Sequence, residues 1–339
     1  MEIIQYNLDE TLHLPKNFVS LYGDVNFAIF DIETTGLSPH FHKVILIGLL
    51  YIKNGKISIQ QFFSNNKKEE AALLSSFKDK IQEFDLLIDY NGNTFDIPFL
   101  NKRFLANKID YSIATYQSID LLKLIRKIQK QLHLDNCKLK SVEEYLNIHR
   151  NDKISGKESV ALYNQYEKEQ TKKLKDTILL HNYDDLYYFS KALMILDQIP
   201  IEQMIQNFPQ IFHIGEEEKR CYILKQHIKN SSFYLEGVYK NNHIDDYISY
   251  ENGFSFEYKN NTNTFTVKIP LYKGRLSSGV KCLYVDTNDF SFAYEKNTLD
   301  HLISENIILF KQNNNIKFLD IHLFISKLIP YILNKIENI

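Results

Sequence analysis

Cysteine is scarce in this 339-residue chain: there are three, Cys137, Cys221 and Cys282, odd in number and widely separated. That excludes a disulfide framework, and no Cys/His cluster has the spacing of a structural zinc site. The thiols read as single small hydrophobes in a reducing compartment. Long apolar runs are missing too. No segment reaches the roughly 20 residues that cross a bilayer, and residues 1–16 lack the basic start and apolar stretch of a secretory leader. Cytoplasmic residence and no membrane partner are the expectations.

A dominant charge sign is also absent, with 40 Lys and Arg against 42 Asp and Glu and a net charge of -2. The molecule is not a polycation, which weighs against tight indiscriminate duplex binding. It does not exclude a nuclease, because clustered carboxylates attract metal, and the metal offsets repulsion toward phosphate. Glycine-rich cradles are missing as well. No G-x-G-x-x-G follows a strand and no G-x-x-x-x-G-K-[ST] occurs, so dinucleotide binding and a triphosphate-cradling loop fall away.

What is present is an ordinary soluble composition, 44% hydrophobic and 24% charged, with room for two domains or one large one. Strand-like runs at 26–32, 43–52 and 56–63 are joined by short links, the last across Asn54-Gly55, a hairpin signal. A helix at 68–82, a strand at 84–90, a helix at 95–106, a short strand at 116–120 and helices at 121–131, 139–146, 156–166 and 169–194 follow. This order predicts an α/β domain, a mixed β-sheet flanked by helices, over residues 23–199, with 1–22 as a lead-in. After Pro200 the texture changes to short strands at 233–238, 247–250, 254–258, 264–269, 280–285 and 290–294, with a helix over 318–339. A smaller β-rich (α+β) domain is therefore expected over 215–339.

The chain is organised around residues 27–37. Four residues of buried-strand character run into Asp31 and Glu33, which leave the same face of a strand because side chains alternate with period two. Two like charges so placed are costly unless a cation lies between them, and hard oxygen ligands suit Mg²⁺ or Mn²⁺. Thr34, Thr35 and Gly36 then turn the chain. A third acid, Asp96, opens a helix after the 84–90 strand and Asn91-Gly92-Asn93, where carboxyl ends of neighbouring strands meet at one crevice. The alternative role for Asp96 is to offset the free N–H groups of its own helix. Farther on, His181 and Asp185 lie four apart on one helical face. Asp185 can ligate metal and His181 can accept a proton from water. Asp184 points about 100° away and reads as a solvated neighbour.

Taken together, Asp31-x-Glu33, Asn91-x-x-x-Phe95-Asp96 and His181-x-x-x-Asp185 resemble the three motifs of the DEDD superfamily of 3′–5′ exonucleases, and within it the YprB-like ribonuclease H-like proteins. Leu139-Lys-Ser-Val-Glu-Glu-Tyr-Leu-Asn-Ile, Ile154-Ser-Gly-Lys-Glu and Leu162-Tyr163 resemble that group's links between its second and third motifs. The third motif combines the three-residue gap of the Tyr-bearing subgroup with the His of the other. The resemblance covers residues 23–196 and implies a ribonuclease H-like fold and a metal-dependent 3′–5′ exonuclease acting on DNA or RNA, single-stranded ends above all. It further implies two divalent ions about 4 Å apart on Asp31, Glu33, Asp96 and Asp185, with His181 orienting a water. Thr34, Leu37 and Asn91 are the candidate substrate contacts. A noncatalytic nucleic-acid-binding or assembly module, and a metal-dependent endonuclease, are the alternatives. In the C-terminal part, Tyr272-Lys273-Gly274-Arg275 interleaves aromatics with cations, a pattern that suits either a stacking platform for single strands or ordinary sheet surface.

Overall fold

The computed structural model describes residues 1–150, 156–215, 219–241, 243–292, 294 and 304–338. It divides into two compact units, Met1–Pro200 and Ile201–Ile339. The linking residues 154–155 quoted above lie outside the described residues.

The first unit begins with β1 (Glu2–Asn7) and α1 (Lys16–Tyr22), then β2 (Phe27–Thr34), β3 (Val44–Lys53) and β4 (Lys56–Phe63). There follow α2 (Glu70–Ile81), β5 (Leu86–Asp89), α3 (Asp96–Ala106), β6 (Ser118–Asp120) and α4 (Leu121–Ile128). The unit closes with α5 (Leu139–Tyr145), α6 (Gly156–Glu169) and α7 (Lys172–Ala192). Six strands form one sheet in the order β1-β4-β3-β2-β5-β6. β1, β4, β3 and β2 pair antiparallel, and β5 and β6 add on in parallel. The segment expected as a lead-in thus supplies an edge strand, Glu2 to Asn7 against Phe63 to Ser58. Glu2, Gln5 and Asn7 among Ile3, Ile4 and Tyr6 break up its apolar character, because an edge strand needs to bury only part of its surface.

β2 and β3 sit mid-sheet, and the eight residues from Val44 to Tyr51 are all buried, as a strand covered on both faces requires. One face packs α2 and α3 through Phe62, Leu73, Phe77, Leu100 and Phe104. The other takes α7, and its closest approach is set by one glycine. Asp31, Gly48 and Gln61 lie side by side across β2, β3 and β4. A Cβ on Gly48 would stand 2.2 Å from Asn182 Oδ1 and 2.5 Å from Leu186 Cδ1. Over the bare glycine, Gln61 Nε2 donates to Asn182 Oδ1 at 2.8 Å and Asn182 Nδ2 donates to Asp31 Oδ2 at 2.9 Å.

The second unit contains α8 (Ile201–Asn207), β7 (Gln210–Ile214), β8 (Lys219–Lys229), β9 (Ser232–Tyr239), β10 (Tyr247–Glu251), β11 (Phe254–Lys259) and β12 (Thr264–Pro270). β13 (Tyr272–Arg275), β14 (Lys281–Asp286), β15 (Ile307–Gln312), β16 (Asn315–Ile316) and α9 (Phe318–Glu337) complete it. Its sheets run β10-β11-β12-β9-β8-β7 and β13-β14-β15-β16. α9 buries Ile321, Phe324, Ile325, Leu328, Ile332 and Leu333, a helical stripe that closes the core. Sequence reading missed β7 and the eleven-residue β8. The register of β8 shifts between Ile223 and Lys225, and this breaks the alternation that signals a strand. The strand expected at 290–294 is corrected. Residues 290–292 are bends, and Phe290 instead packs on Phe324 with ring centroids 5.0 Å apart, so its aromatic density serves the core. Residue 293 lies outside the described residues.

Gly48→Ala must displace Asn182 or Leu186. Overpacking of this kind costs about 1–3 kcal/mol, and urea unfolding should show a loss in that range; a variant as stable as the parent would contradict the close approach.

Candidate active site

The sheet brings the acids together at the carboxyl ends of its central strands. Asp31 and Glu33 leave β2 on one face, as period-two alternation requires. Asp96, the first residue of α3, accepts the Ile32 backbone N–H at 3.3 Å, so its carboxylate is committed to β2. From α7, His181 Nε2 lies 3.6 Å from Glu33 Oε1 and 3.6 Å from Asp185 Oδ2. All five residues named for catalysis therefore converge.

Electrostatics give the convergence its character. Glu33 and Asp96 are buried. Asp31 keeps a partly exposed rim, yet the protein packed around it desolvates it. Burial is the first cause pushing the Asp31 carboxyl up to about 7, with the charge of Asp185 the second; the Asn182 amide and Arg150 work against it. Glu33 is raised well above the usual carboxylate range by burial and then by Asp31 and Asp185. Asp96 is raised in the same way by burial, Asp31 and Asp89. Like charges that disturb one another from four elements form the kind of site that a bound cation relieves.

Among the described residues, Glu33, His181 and Asp185 form the group whose ligand atoms can hold one metal ion, all lying within 4.8 Å of one another. Two carboxylates and an imidazole suit a divalent first-row ion. The grouping places His181 among the possible ligands, where the sequence suggested a proton acceptor. It leaves out Asp31 and Asp96, each of which has an oxygen engaged elsewhere, with Asn182 and with Ile32 N. Arg150 supplies a cation beside the site, with Nη1 2.5 Å from Asp185 Oδ1 and Nε 3.1 Å from Glu143 Oε2.

The candidate substrate residues are differently placed. Leu37 is 83% exposed. Thr34 is buried and its Oγ1 donates to Gly36 O at 2.8 Å, which shapes the turn. Asn91 has a positive φ of 78° and its backbone N–H donates to Asp120 Oδ1 at 2.9 Å, which fixes the β5–α3 turn. Asp184, read as a solvated neighbour, is half-buried. Tyr183 sits edge-on to Tyr6 with ring centroids 5.2 Å apart.

Asp89 was missed. It ends β5, is buried, and accepts Gly92 N at 2.6 Å and Ser118 Oγ at 2.5 Å. A Cβ on Gly92 would fall 2.2 Å from Asp89 Cγ, so the turn into α3 needs glycine there. Burial pushes Asp89 up to about 7 against those hydrogen bonds. An acid closing an apolar strand just before Asn-Gly was the available signal. Asn182 carried a weaker one, an amide beside His181 on a helix.

Residues 28–194 match the RNase_H_2 family of the RNase H superfamily. The first unit is thus an RNase H-like α/β domain, followed by the smaller β-rich one. The chain is similar to DNA polymerase III PolC-type of Ureaplasma parvum, 31% identical over 128 residues, which is 31% of this chain and 9% of the polymerase. It is similar to the protein of that name in Oceanobacillus iheyensis, 30% identical over 152 residues, 38% of this chain and 10% of that one. The chain spans about a tenth of the length of these curated relatives. Among solved structures, the family B DNA polymerase of Pyrobaculum calidifontis aligns at 16% identity and a TM-score of 0.40, over 62% of this chain and 34% of that one. No described helix is long and apolar enough to cross a membrane.

The raised carboxyls set a pH dependence. An acid whose proton affinity is higher folded than unfolded favours the fold at low pH, and that contribution is lost as pH rises through the folded value. For Asp31 and Asp89 the window runs from the ordinary 3.8 to about 7. In EDTA, unfolding free energy should therefore fall between pH 4 and 7, each group contributing at most about 1.4 kcal/mol per pH unit. Asp31→Asn should make the decline shallower. A profile of equal slope in parent and variant would contradict the assignment.

Proposed function

We propose that the first unit is a metal-dependent phosphodiester hydrolase, a 3′–5′ exonuclease of the DEDD type close to the YprB-like group, acting on single-stranded ends of DNA or RNA. The observation that carries this reading is the convergence of Glu33, His181 and Asp185 at ligand distance, beside Asp31 and Asp96, at the carboxyl ends of the central strands. Similarity to PolC-type DNA polymerase III supports a nucleic-acid substrate.

Glu33, Asp185 and Asp31 would hold Mg²⁺ or Mn²⁺, with Asp96 completing the set for a second ion. The bound cations supply an activated water at neutral pH and neutralise charge on the phosphoryl oxygens. Asn182 holds Asp31 at one oxygen and leaves the other for a ligand. Asp96 ties the start of α3 to β2, which fixes the spacing of the acids. His181 Nε2, 3.6 Å from Glu33 Oε1 and 3.6 Å from Asp185 Oδ2, would take a proton from a water lying between the two carboxylates. Leu37 offers an apolar surface to the terminal base, and Thr34 and Asn91 shape the loops on either side.

The test is a gel series with 3′-labelled and 5′-labelled single-stranded DNA and RNA in Mn²⁺, Mg²⁺ or EDTA. Shortening from the 3′ end with metal, and none in EDTA, is expected. Asp31→Asn should lower the rate by about 10³-fold or more and His181→Ala by about 10²-fold or more, with circular dichroism unchanged. Internal cuts from the first time point would replace the reading with an endonuclease. Binding without metal-dependent cleavage would replace it with a noncatalytic module.

A further inference from the structure

The motif Tyr272-Lys273-Gly274-Arg275, set aside by the function above, lies on β13 at the edge of the second unit's smaller sheet. Directly paired residues of an antiparallel ladder present their side chains on the same face. Lys273 pairs with Leu283 and Leu283 with Lys311, while Arg275 pairs with Lys281. Lys273 and Arg275, two apart on one strand, share that face as well. The opposite face carries buried Cys282 and Phe310. Four cations therefore stand on the solvent side of three adjacent strands. They line an open concavity of about 520 Å³ with Leu283 and Asn313.

None of the four cations has a carboxylate within ion-pair distance among the described residues. Among the described residues, Arg275 donates only to a backbone oxygen, Gly279 O at 3.1 Å. Like charges directly opposite across a ladder are destabilising, and Arg275 faces Lys281 in that way. Protection of a sheet edge explains lysine and arginine on β13. It does not explain Lys281 and Lys311, because β14 and β15 are interior strands. In a chain whose net charge is -2, such a cluster is local and calls for a polyanion.

We propose that the solvent face of β13–β14–β15 is a metal-independent binding surface for the phosphodiester backbone of single-stranded nucleic acid, held by Lys273, Arg275, Lys281 and Lys311. The face spans about 10 Å across the strands and about 7 Å along them, room for a few phosphates of one strand. Choosing nucleic acid among polyanions rests on the nuclease reading of the first unit. Recognition here is by charge and is independent of base sequence.

The test measures anisotropy of a fluorescein-labelled 20-nucleotide single-stranded DNA with the full chain in EDTA, where no hydrolysis competes, at several salt concentrations. Replacing all four cations by glutamine should weaken binding at least tenfold at low salt. It should also flatten the dependence of log Kd on log salt by about 2 to 3, since each neutralised phosphate of a single strand contributes about 0.7. Arg275→Gln and Lys311→Gln alone should each remove about 0.7, a reading that survives if the quadruple variant fails to fold. Unchanged affinity and slope in these variants would overturn the proposal, as would tighter binding of the matching duplex. Hydrolysis of a dinucleotide with Mn²⁺ reports on the first unit separately, because one phosphodiester cannot occupy four cations. Its absence alongside salt-dependent binding would sink the nuclease reading and leave this one standing.

Discussion

The descent of α7 onto the sheet at Gly48 is the contact on which the first unit's architecture turns. A side chain at that position would push the helix outward, and Asn182 would then no longer span from Gln61 to Asp31. Two strands and one helix meet in that chain of two hydrogen bonds, which passes over the bare glycine of the strand between them. A buried amide satisfied at both ends, as Asn182 is, is specific in a way that apolar packing is not, because a shift of one residue in register leaves its donor or acceptor unpaired. The same network that seats α7 fixes the orientation of one carboxylate in the site. Fold and chemistry here share a single constraint.

That constraint holds together a cluster that otherwise opposes folding. Burial raises the proton affinity of Asp31, Glu33 and Asp96, the charge of Asp31 raises Glu33 and Asp96 further, and Asp185 adds to the repulsion from α7. Part of the cost is offset within the chain. Arg150 pairs with Asp185, and its guanidinium carbon stands 5.9 Å from the centre of the Tyr188 ring. A second pair steadies the opposite side, where the half-buried Arg103 holds the buried Glu70 through two nitrogens at 2.6–2.8 Å while Glu70 also accepts Val44 N. This bidentate pair ties α2 and α3 to the start of β3, and with it the turn that follows β2.

Much of this was legible beforehand, for identifiable reasons. Strands buried on both faces announce themselves as apolar runs, and β2, β3 and β4 were read within two residues. Asp31, Glu33, Asp96, His181 and Asp185 stood out because ionisable groups at strand ends and on one helical face are chemically conspicuous. What escaped was what local pattern cannot carry. β1 is half polar because it lies at an edge, and β8 is interrupted by its register shift. Asn182 carries no charge, and its importance depends on a glycine far away in sequence. Arg150 matters only because the fold brings it against α7. The basic face of β13–β15 was visible in part as Lys273 and Arg275, but Lys281 and Lys311 join it through strand pairing alone.

The third motif shows how helical phase resolves a mixed signature. Successive residues of a helix turn by about 100°, so Asp185 returns to within about 40° of His181 while Asn182 lies about 60° beyond Asp185. Three side chains with different partners therefore fit in an arc of about 100°, the width of one helix face. His181 and Asp185 share Glu33 and one another, and Asn182 reaches the neighbouring Asp31. A gap longer by one residue would turn the imidazole about 140° from Asp185, onto the side where Leu180 is exposed. Histidine at the shorter spacing is consequently a consistent solution for this helix, since the amide immediately after it falls where Asp31 of β2 needs a donor.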